Sequence, residues 1–265
     1  MKLLPIAAAA AMLGAGALPA QDLPQWMLQL VQIKRKAKAE FVRLPNFACV
    51  ETINRFHRMP RSEEFKPMDT VRLEVAFVDG KELFAPIGGS SFHEIDLSDL
   101  VRGGGAMGTG AFSAMARNLF VNDNGRVTGW GEDRILERPA LRYDFVIPEM
   151  FAGYRMQSRG MQATVGLEGT FWADAETLEL LRVVERAVDI PPGLDILDST
   201  TTVTYARMRI AASDVLLPRW AEMVITNTNG WRGRNEIEFT GCREYVADSV
   251  IRFDTVDPPP TPKKK

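Results

Sequence analysis

Apolar and polar residues alternate with a period of two along most of the chain after Pro45. Thr70 to Val78 is an example, because Val71, Leu73, Val75 and Phe77 fall on one face of an extended strand. Asp79-Gly80 follows at once, and this dipeptide favours a two-residue turn into a second run, Lys81 to Ala85. The pattern therefore predicts antiparallel strands joined by tight turns.

The same pattern recurs towards the C-terminus. It predicts further strands at Cys49 to Met59, Met161 to Ala173, Leu178 to Ile190, Asp198 to Ile210, Leu216 to Thr228 and Arg232 to Tyr245. Asn124-Gly125 and Asn229-Gly230 repeat the hairpin-turn chemistry. Most strands alternate apolar residues with Arg, Glu or Thr, so we expect one covered face and one wetter face. The fold class predicted is mainly β with α, an α+β curled antiparallel sheet or half-open β-barrel.

Two segments have helical rather than strand periodicity. Gln25 to Val42 places apolar residues three or four positions apart, with lysines and arginines towards its C-terminal half. Such a helix can lie on a membrane, but packing against its own sheet is the commoner role. Ala111 to Phe120 predicts a small inserted helix whose Phe, Met and Leu residues pack on the sheet.

The two ends of the chain differ in composition from the rest. Residues 1–20, MKLLPIAAAAAMLGAGALPA, have the charged start, short apolar run and small-residue cleavage site of a secretory signal peptide. A membrane anchor is the competing interpretation. Residues 255–265, TVDPPPTPKKK, predict a disordered tail. We therefore expect one exported domain, periplasmic or secreted, over residues 21–254.

The chain has two cysteines, Cys49 and Cys242, near the two ends of the folded region. In an oxidising compartment an even number of cysteines predicts a disulfide. Two buried, unpaired thiols are the alternative. A structural zinc site is disfavoured, because two cysteines and two histidines at scattered positions lack the spacing of zinc ligands.

Glycines at Gly103, Gly105 and Gly108, within RGGGAMGTG, satisfy the dinucleotide-binding spacing G-x-G-x-x-G. That fingerprint needs a parallel strand before it and a βαβ unit around it, whereas the strands here look antiparallel. No Lys-Ser or Lys-Thr follows Gly110, so the phosphate-loop motif is incomplete too. The sequence favours a flexible connection up to Gly110 and predicts no nucleotide or other cofactor.

Catalytic and metal motifs are sparse. Ser90 to Glu94 contains a serine, His93 and a carboxylate, but neighbours in sequence do not make a catalytic triad. A hydrolase that uses His93 is a distant alternative. The charge is nearly balanced, at −2, so no surface for nucleic acid is predicted. We expect no catalytic and no metal-binding residues.

Four aromatic residues in predicted strands are candidates to line a ligand cavity: Phe145, Phe171, Trp172 and Trp220. Aromatic residues at such positions more often fill a core.

The segment GLEGTFWADAETLELLR, residues 166–182, resembles a hairpin of the periplasmic lipoprotein-carrier superfamily. Phe171, Trp172, Asp174 and Arg182 stand at matching positions, and the signal peptide and antiparallel meander agree. The resemblance implies a half-open barrel around helices that binds a lipid, an acyl chain or a lipoprotein without catalysis. It equally implies an alternative, an envelope protein-interaction or stress-sensing module. The arginine that gates the family's cavity is not assigned to a position in this sequence.

Overall fold

The computed structural model describes residues 23–89, 91–94, 107–108, 110–210 and 212–245. The predicted signal peptide at 1–20, the predicted tail at 255–265, and Gly103 and Gly105 of the glycine motif lie outside the described residues. None of the helices in the described part combines the length and the hydropathy that a membrane crossing requires.

The structure has one long helix, eleven strands and a few short helices. In chain order they are α1 (Gln25–Arg43), β1 (Phe47–Arg58), β2 (Lys66–Val78), β3 (Lys81–Pro86), α2 (Ala114–Ala116) continued by a π-helical turn (Arg117–Val121), β4 (Arg126–Ile135), β5 (Arg138–Ile147), α3 (Glu149–Ala152), β6 (Tyr154–Ser158), β7 (Met161–Asp174), β8 (Leu180–Val188), a 3-10 turn (Pro192–Leu194), β9 (Ile196–Ile210), β10 (Ser213–Asn227) and β11 (Arg232–Glu244).

All eleven strands belong to one open antiparallel sheet. Its order is β3-β2-β1-β11-β10-β9-β8-β7-β5-β4, with β6 paired to β7 beside this path. Most neighbours in the sheet are also neighbours in sequence, and the main exception is the pairing of β1 with β11. This half-open barrel with an N-terminal helix and a small inner helix confirms the predicted fold class.

The two faces of the sheet differ as the alternation predicts. On β8, Val183, Glu185 and Ala187 are buried on the concave inner face, whereas Arg186 is exposed on the outer face. Arg186 pairs there with Glu168 and Asp198 on the two neighbouring strands. These three charged residues therefore belong to the solvent face, whereas Glu185 lies on the buried face.

Helix α1 lies against the inner face of the sheet. Its apolar stripe buries Ile33, Ala37 and Phe41 completely or nearly so. Arg207 on β9 bonds to Glu40 of the helix and to Glu179, with Nη2–O distances of 2.8 and 2.6 Å. The helix predicted from the 3.6-residue period is confirmed, and so is its role in packing.

One predicted hairpin turn is wrong. Asn124-Gly125 follows the π-helical turn rather than a strand, so it leads from a helix into β4. A Cβ atom at Gly125 would lie 2.3 Å from Cδ1 of Leu119. The glycine is needed for this close approach, which the dipeptide pattern does not distinguish from a hairpin turn.

Cys49 and Cys242 form a disulfide between β1 and β11, with their Cα atoms 4.1 Å apart. The register of the two strands shifts at this point, between Ala48 and Val50. Gly241 has a positive φ of 58°, which suits a β-bulge. The bulge lets the two cysteines approach each other, and the alternative of two free thiols is wrong.

Candidate ligand cavity

A cavity of about 620 Å³ lies between the inner face of the sheet and the short helices that cover it. Strands β7 to β10 supply one wall, and β6, α3 and the residues around α2 supply the other. The volume lies within the range of about 300–1,000 Å³ that is typical of small-molecule sites. The cavity is therefore the first place to look for a ligand.

About half of the cavity wall is apolar and flexible, and polar side chains make up the rest. Four methionines line it, Met107, Met115, Met156 and Met223. Leu167, Ile196 and Ile225 on the strands complete the apolar surface. Methionine side chains are unbranched and polarizable, so they adapt to the shape of an apolar ligand.

Among the described residues that line the cavity, one has a carboxyl group. Glu185 is 5 % exposed, lines the cavity, and stands beside Thr201 in the register of β8 and β9. Its Oε1 atom has no hydrogen-bond partner among the described residues. Burial raises the pKa of Glu185 to about 8, so the group is mostly protonated and neutral at neutral pH.

Further hydroxyl and basic groups border the same space. Tyr154 and Arg155 come from β6, and Arg117 comes from the π-helical turn. Burial raises the pKa of Tyr154, so its phenol stays protonated. Arg117 donates to the backbone oxygen of Phe41 and lies over the ring of Phe77, whereas Arg155 is exposed at the edge.

The cover of the cavity is fixed by one carboxylate of β3. Glu82 accepts hydrogen bonds from the backbone N–H groups of Gly110, Ser113 and Ala114 and from Oγ of Ser113, at 2.7–3.0 Å. These are the free N–H groups at the start of α2. Glu82 therefore holds the helix, and Met115 on it, above the sheet.

The described part of the glycine motif contributes to this cover. Gly108 lines the cavity, and a Cβ atom there would lie 2.6 Å from Sδ of Met223. Gly110 has a φ of 99°, and its N–H group bonds to Glu82. The predicted helix after the glycines is confirmed at residues 114–121, with Phe112, Met115, Leu119 and Phe120 buried as expected.

Two of the four predicted cavity residues are core residues. Phe145 and Phe171 are 1 % and 0 % exposed, and their ring centroids lie 6.3 Å apart. Phe171 also stacks on Tyr143 and meets Phe120 of the inner helix edge-on. They form part of the floor on which the helices rest, and the wall of the 620 Å³ cavity consists of other side chains.

The two tryptophans lie on the outer side of the sheet. Trp172 packs on Ile135, Ala140 and Leu181, and its Nε1 donates to Asp133 at 2.8 Å. Trp220 is half-buried in β10, next to the inward-facing Ala221. None of the four predicted residues lines the cavity. Its wall includes methionines, aliphatic residues and Glu185 instead.

Sequence reasoning missed Glu185 because charged residues are common in the predicted strands, and this one did not stand out among them. In LRVVERAV the alternation places Val183 and Ala187 on the covered face, and Glu185 falls in the same phase. A charged residue in phase with the apolar ones is the signal that would have identified it. The methionines gave no comparable signal, since they come from distant segments.

The described residues show no arrangement for hydrolysis or metal binding. His93 is exposed and pairs through its backbone with Phe84, and Glu94 forms an ion pair with Lys81 at 2.6 Å. Among these residues no group of three or more His, Cys, Asp or Glu side chains is placed to hold a metal ion.

Asp174 has a turn role, as its position before Ala175 predicts. Its Oδ1 accepts hydrogen bonds from the backbone N–H groups of Glu176 and Thr177, at 3.1 and 2.7 Å. This is the side-chain-to-backbone turn that aspartate favours. The hairpin that resembles the lipoprotein-carrier superfamily is therefore formed as the sequence predicts.

No family model and no curated protein matches the chain. Two solved structures do. An outer-membrane lipoprotein-sorting protein domain from Vibrio parahaemolyticus matches over 83 % of this chain and 92 % of its own, with 15 % identity and a TM-score of 0.44. MucB, in complex with the periplasmic part of MucA, matches over 84 % of this chain and 98 % of its own, with 13 % identity and a TM-score of 0.22.

Proposed function

We propose that the protein is an exported, non-enzymatic binding or carrier protein that holds a lipid, an acyl chain or the acylated end of a lipoprotein in its inner cavity. The observation that carries this proposal is the 620 Å³ space lined by four methionines and by aliphatic side chains. The apolar part of this wall gains free energy when an acyl chain covers it and removes it from water.

The surroundings of the cavity support the same function. The disulfide fits an oxidising compartment outside the cytoplasm. Helix α3 borders the cavity and exposes Met150 and Phe151, which are 80 % and 51 % accessible. Apolar side chains at an opening assist the transfer of an amphiphile from a membrane or another protein.

Ligand binding is tested with the purified protein. Organic extracts analysed by mass spectrometry should contain a co-purified amphiphile, and the delipidated protein should bind a fluorescent fatty-acid ester. Ile225→Trp fills the cavity and should weaken binding by about tenfold or more, because an occupied cavity excludes the chain.

The neighbouring residue provides the matched control. Val224 precedes Ile225 on β10 and points to the opposite face, so Val224→Trp adds the same side chain outside the cavity. The Val224→Trp variant should bind the fluorescent probe with the same affinity as the wild type. Equal binding by both variants, or no binding by any of them, would contradict the proposal.

An envelope protein-interaction or sensing role is the second candidate. The exposed Met150-Phe151 pair favours it, since such a pair can also contact a protein partner. A photo-reactive amino acid at position 150 should then cross-link an envelope protein in cells, with the exposed Leu136 as the control position. Cross-links to lipid alone would decide for the carrier role.

A further inference from the structure

One row of inner side chains crosses the cavity wall from β7 to β10. In the register of the sheet Gly169 stands opposite Glu185, Glu185 opposite Thr201, and Thr201 opposite Met223. Glu185, Thr201 and Met223 all line the cavity. The carboxyl and the hydroxyl group are therefore adjacent on the cavity wall.

The protein itself does not satisfy this carboxyl group. Oε1 of Glu185 is shielded from solvent and has no hydrogen-bond partner among the described residues. An unsatisfied polar atom inside a protein is costly, and native structures rarely contain one without a reason. A ligand that fills the cavity brings its own polar atoms within reach of this group.

The protonation state of Glu185 decides which ligand atom fits. The neutral carboxyl group presents an O–H donor. The hydroxyl of Thr201 is already hydrogen-bonded to the side chain of Tyr154. A cationic ligand group would meet Arg117 and Arg155 around the same cavity. A carboxylate would have to lose its hydration beside another carboxyl group, which costs far more than burial of a neutral carbonyl.

We propose that the cavity selects acyl chains by their neutral carbonyl group, an ester or an amide, whose oxygen accepts a hydrogen bond from Glu185. This inference rests on the proposed binding of an amphiphile and names its chemical class. Chains that lack the carbonyl, such as ethers, leave the Glu185 donor unsatisfied and bind more weakly.

Two matched probes test the inference with the full chain. Monolauroyl glycerol carries an ester carbonyl, and dodecyl glycerol is the ether of the same length without it. Delipidated protein should bind the ester about tenfold more tightly than the ether in calorimetric titrations at neutral pH, as expected for one unsatisfied buried donor.

Variants assign the selectivity to Glu185. Glu185→Leu should reduce the ester-to-ether ratio to about one, whereas Glu185→Gln, whose amide still donates, should keep part of it. Val184→Leu changes the residue next to Glu185 on the outer face of β8 and should keep the full ratio. Circular dichroism verifies that each variant is folded.

The pH dependence gives a second readout. Arg117 and Arg155 line the same cavity. The titratable groups close to Glu185 are Tyr154 and Tyr205, and burial raises the pKa of both tyrosines. They therefore keep their charge state up to about pH 9, while Glu185 ionises and repels the carbonyl oxygen. Ester binding should weaken over this range in the wild type and stay constant in Glu185→Gln. Glu51, on β1, also titrates here, and Glu51→Gln should leave the ester's pH dependence in place.

The possible failures are distinct. Tight but equal binding of ester and ether by the wild type would overturn the carbonyl inference and leave the carrier function standing. A ratio that survives in Glu185→Leu would also overturn it. Binding of neither probe would overturn both proposals.

Discussion

Gly169 on β7 lies directly opposite Glu185 on β8 and leaves room for the ring of Phe145. A Cβ atom at Gly169 would lie 2.1 Å from the backbone oxygen of Val184 and 2.7 Å from Cζ of Phe145. Both distances are far below van der Waals contact. The missing side chain thus allows the core aromatic residues and the cavity wall to share one stretch of the sheet.

Gly169→Ala should destabilise the protein by about 1–3 kcal/mol, the usual cost of overpacking a well-filled core. Gly131→Ala on β4 is the matched control, because nothing lies within 4 Å of a Cβ atom there. Chemical denaturation gives both free energies of unfolding. Equal free energies of unfolding for the two variants would contradict this prediction. They would mean that Phe145 and β8 shift to accommodate the added methyl group at little cost.

Two buried carboxyl groups make stability depend on pH. Burial raises the pKa of Glu51, and of Glu185, from 4.5 to about 8. The folded state then retains protons that the unfolded state has lost, so this contribution to stability is complete below about pH 4.5 and disappears as the pH rises to about 8.

Glu51→Gln should therefore raise the melting temperature at pH 8 by several degrees and change it little at pH 5, given about 2–4 °C per kcal/mol for a domain of this size. Differential scanning calorimetry at the two pH values checks this. Glu222→Gln on β10 provides a control with ordinary exposure. A gain of the same size at both pH values would contradict the protonated state of Glu51.

The disulfide spans 193 residues of sequence, so it restricts the unfolded chain strongly. Cys49→Ser, Cys242→Ser and the double variant should each lose about 2–5 kcal/mol of unfolding free energy, because the closed loop is long. The three losses should be similar, and a reductant should destabilise only the wild type. Additive losses in the double variant would mean that the two residues act separately.

Glu82→Gln should loosen the cover of the cavity. One carboxylate oxygen, Oε1, accepts three hydrogen bonds around Ser113, and an amide in its place presents fewer acceptors. We expect a loss of about 1–2 kcal/mol, as for other helix caps. Hydrogen exchange should accelerate at residues 110–121. Glu94→Gln, which removes only an exposed ion pair, should leave that exchange unchanged.

Much of the fold is readable from local sequence. The strands with Asp79-Gly80 and Asp174 turns occur where the alternation and turn chemistry place them, because both signals act within a few residues. The pairing of β1 with β11 has no such local signal. Only Cys49 and Cys242 linked these two ends in the sequence.

The cavity was less predictable than the sheet. Phe145 and Phe171 are of a residue type that often lines cavities, but the strand register places them beneath the inner helix. The cavity wall combines Met107 and Met115 from the cover with Met223 from β10. Their meeting depends on the curvature of the sheet, which the hydrophobic pattern alone does not specify.

The pairing of the first strand with the last also sets the order of events as the polypeptide emerges. β1 cannot complete its ladder until β11 has been synthesised, so the growing chain carries the β1–β3 ribbon with one bare edge for most of its production. Bare edges attract other strands and aggregate. Until residue 244 is available for pairing, a chain of this topology therefore depends on fast export or on chaperones that cover the unpaired edge of the ribbon.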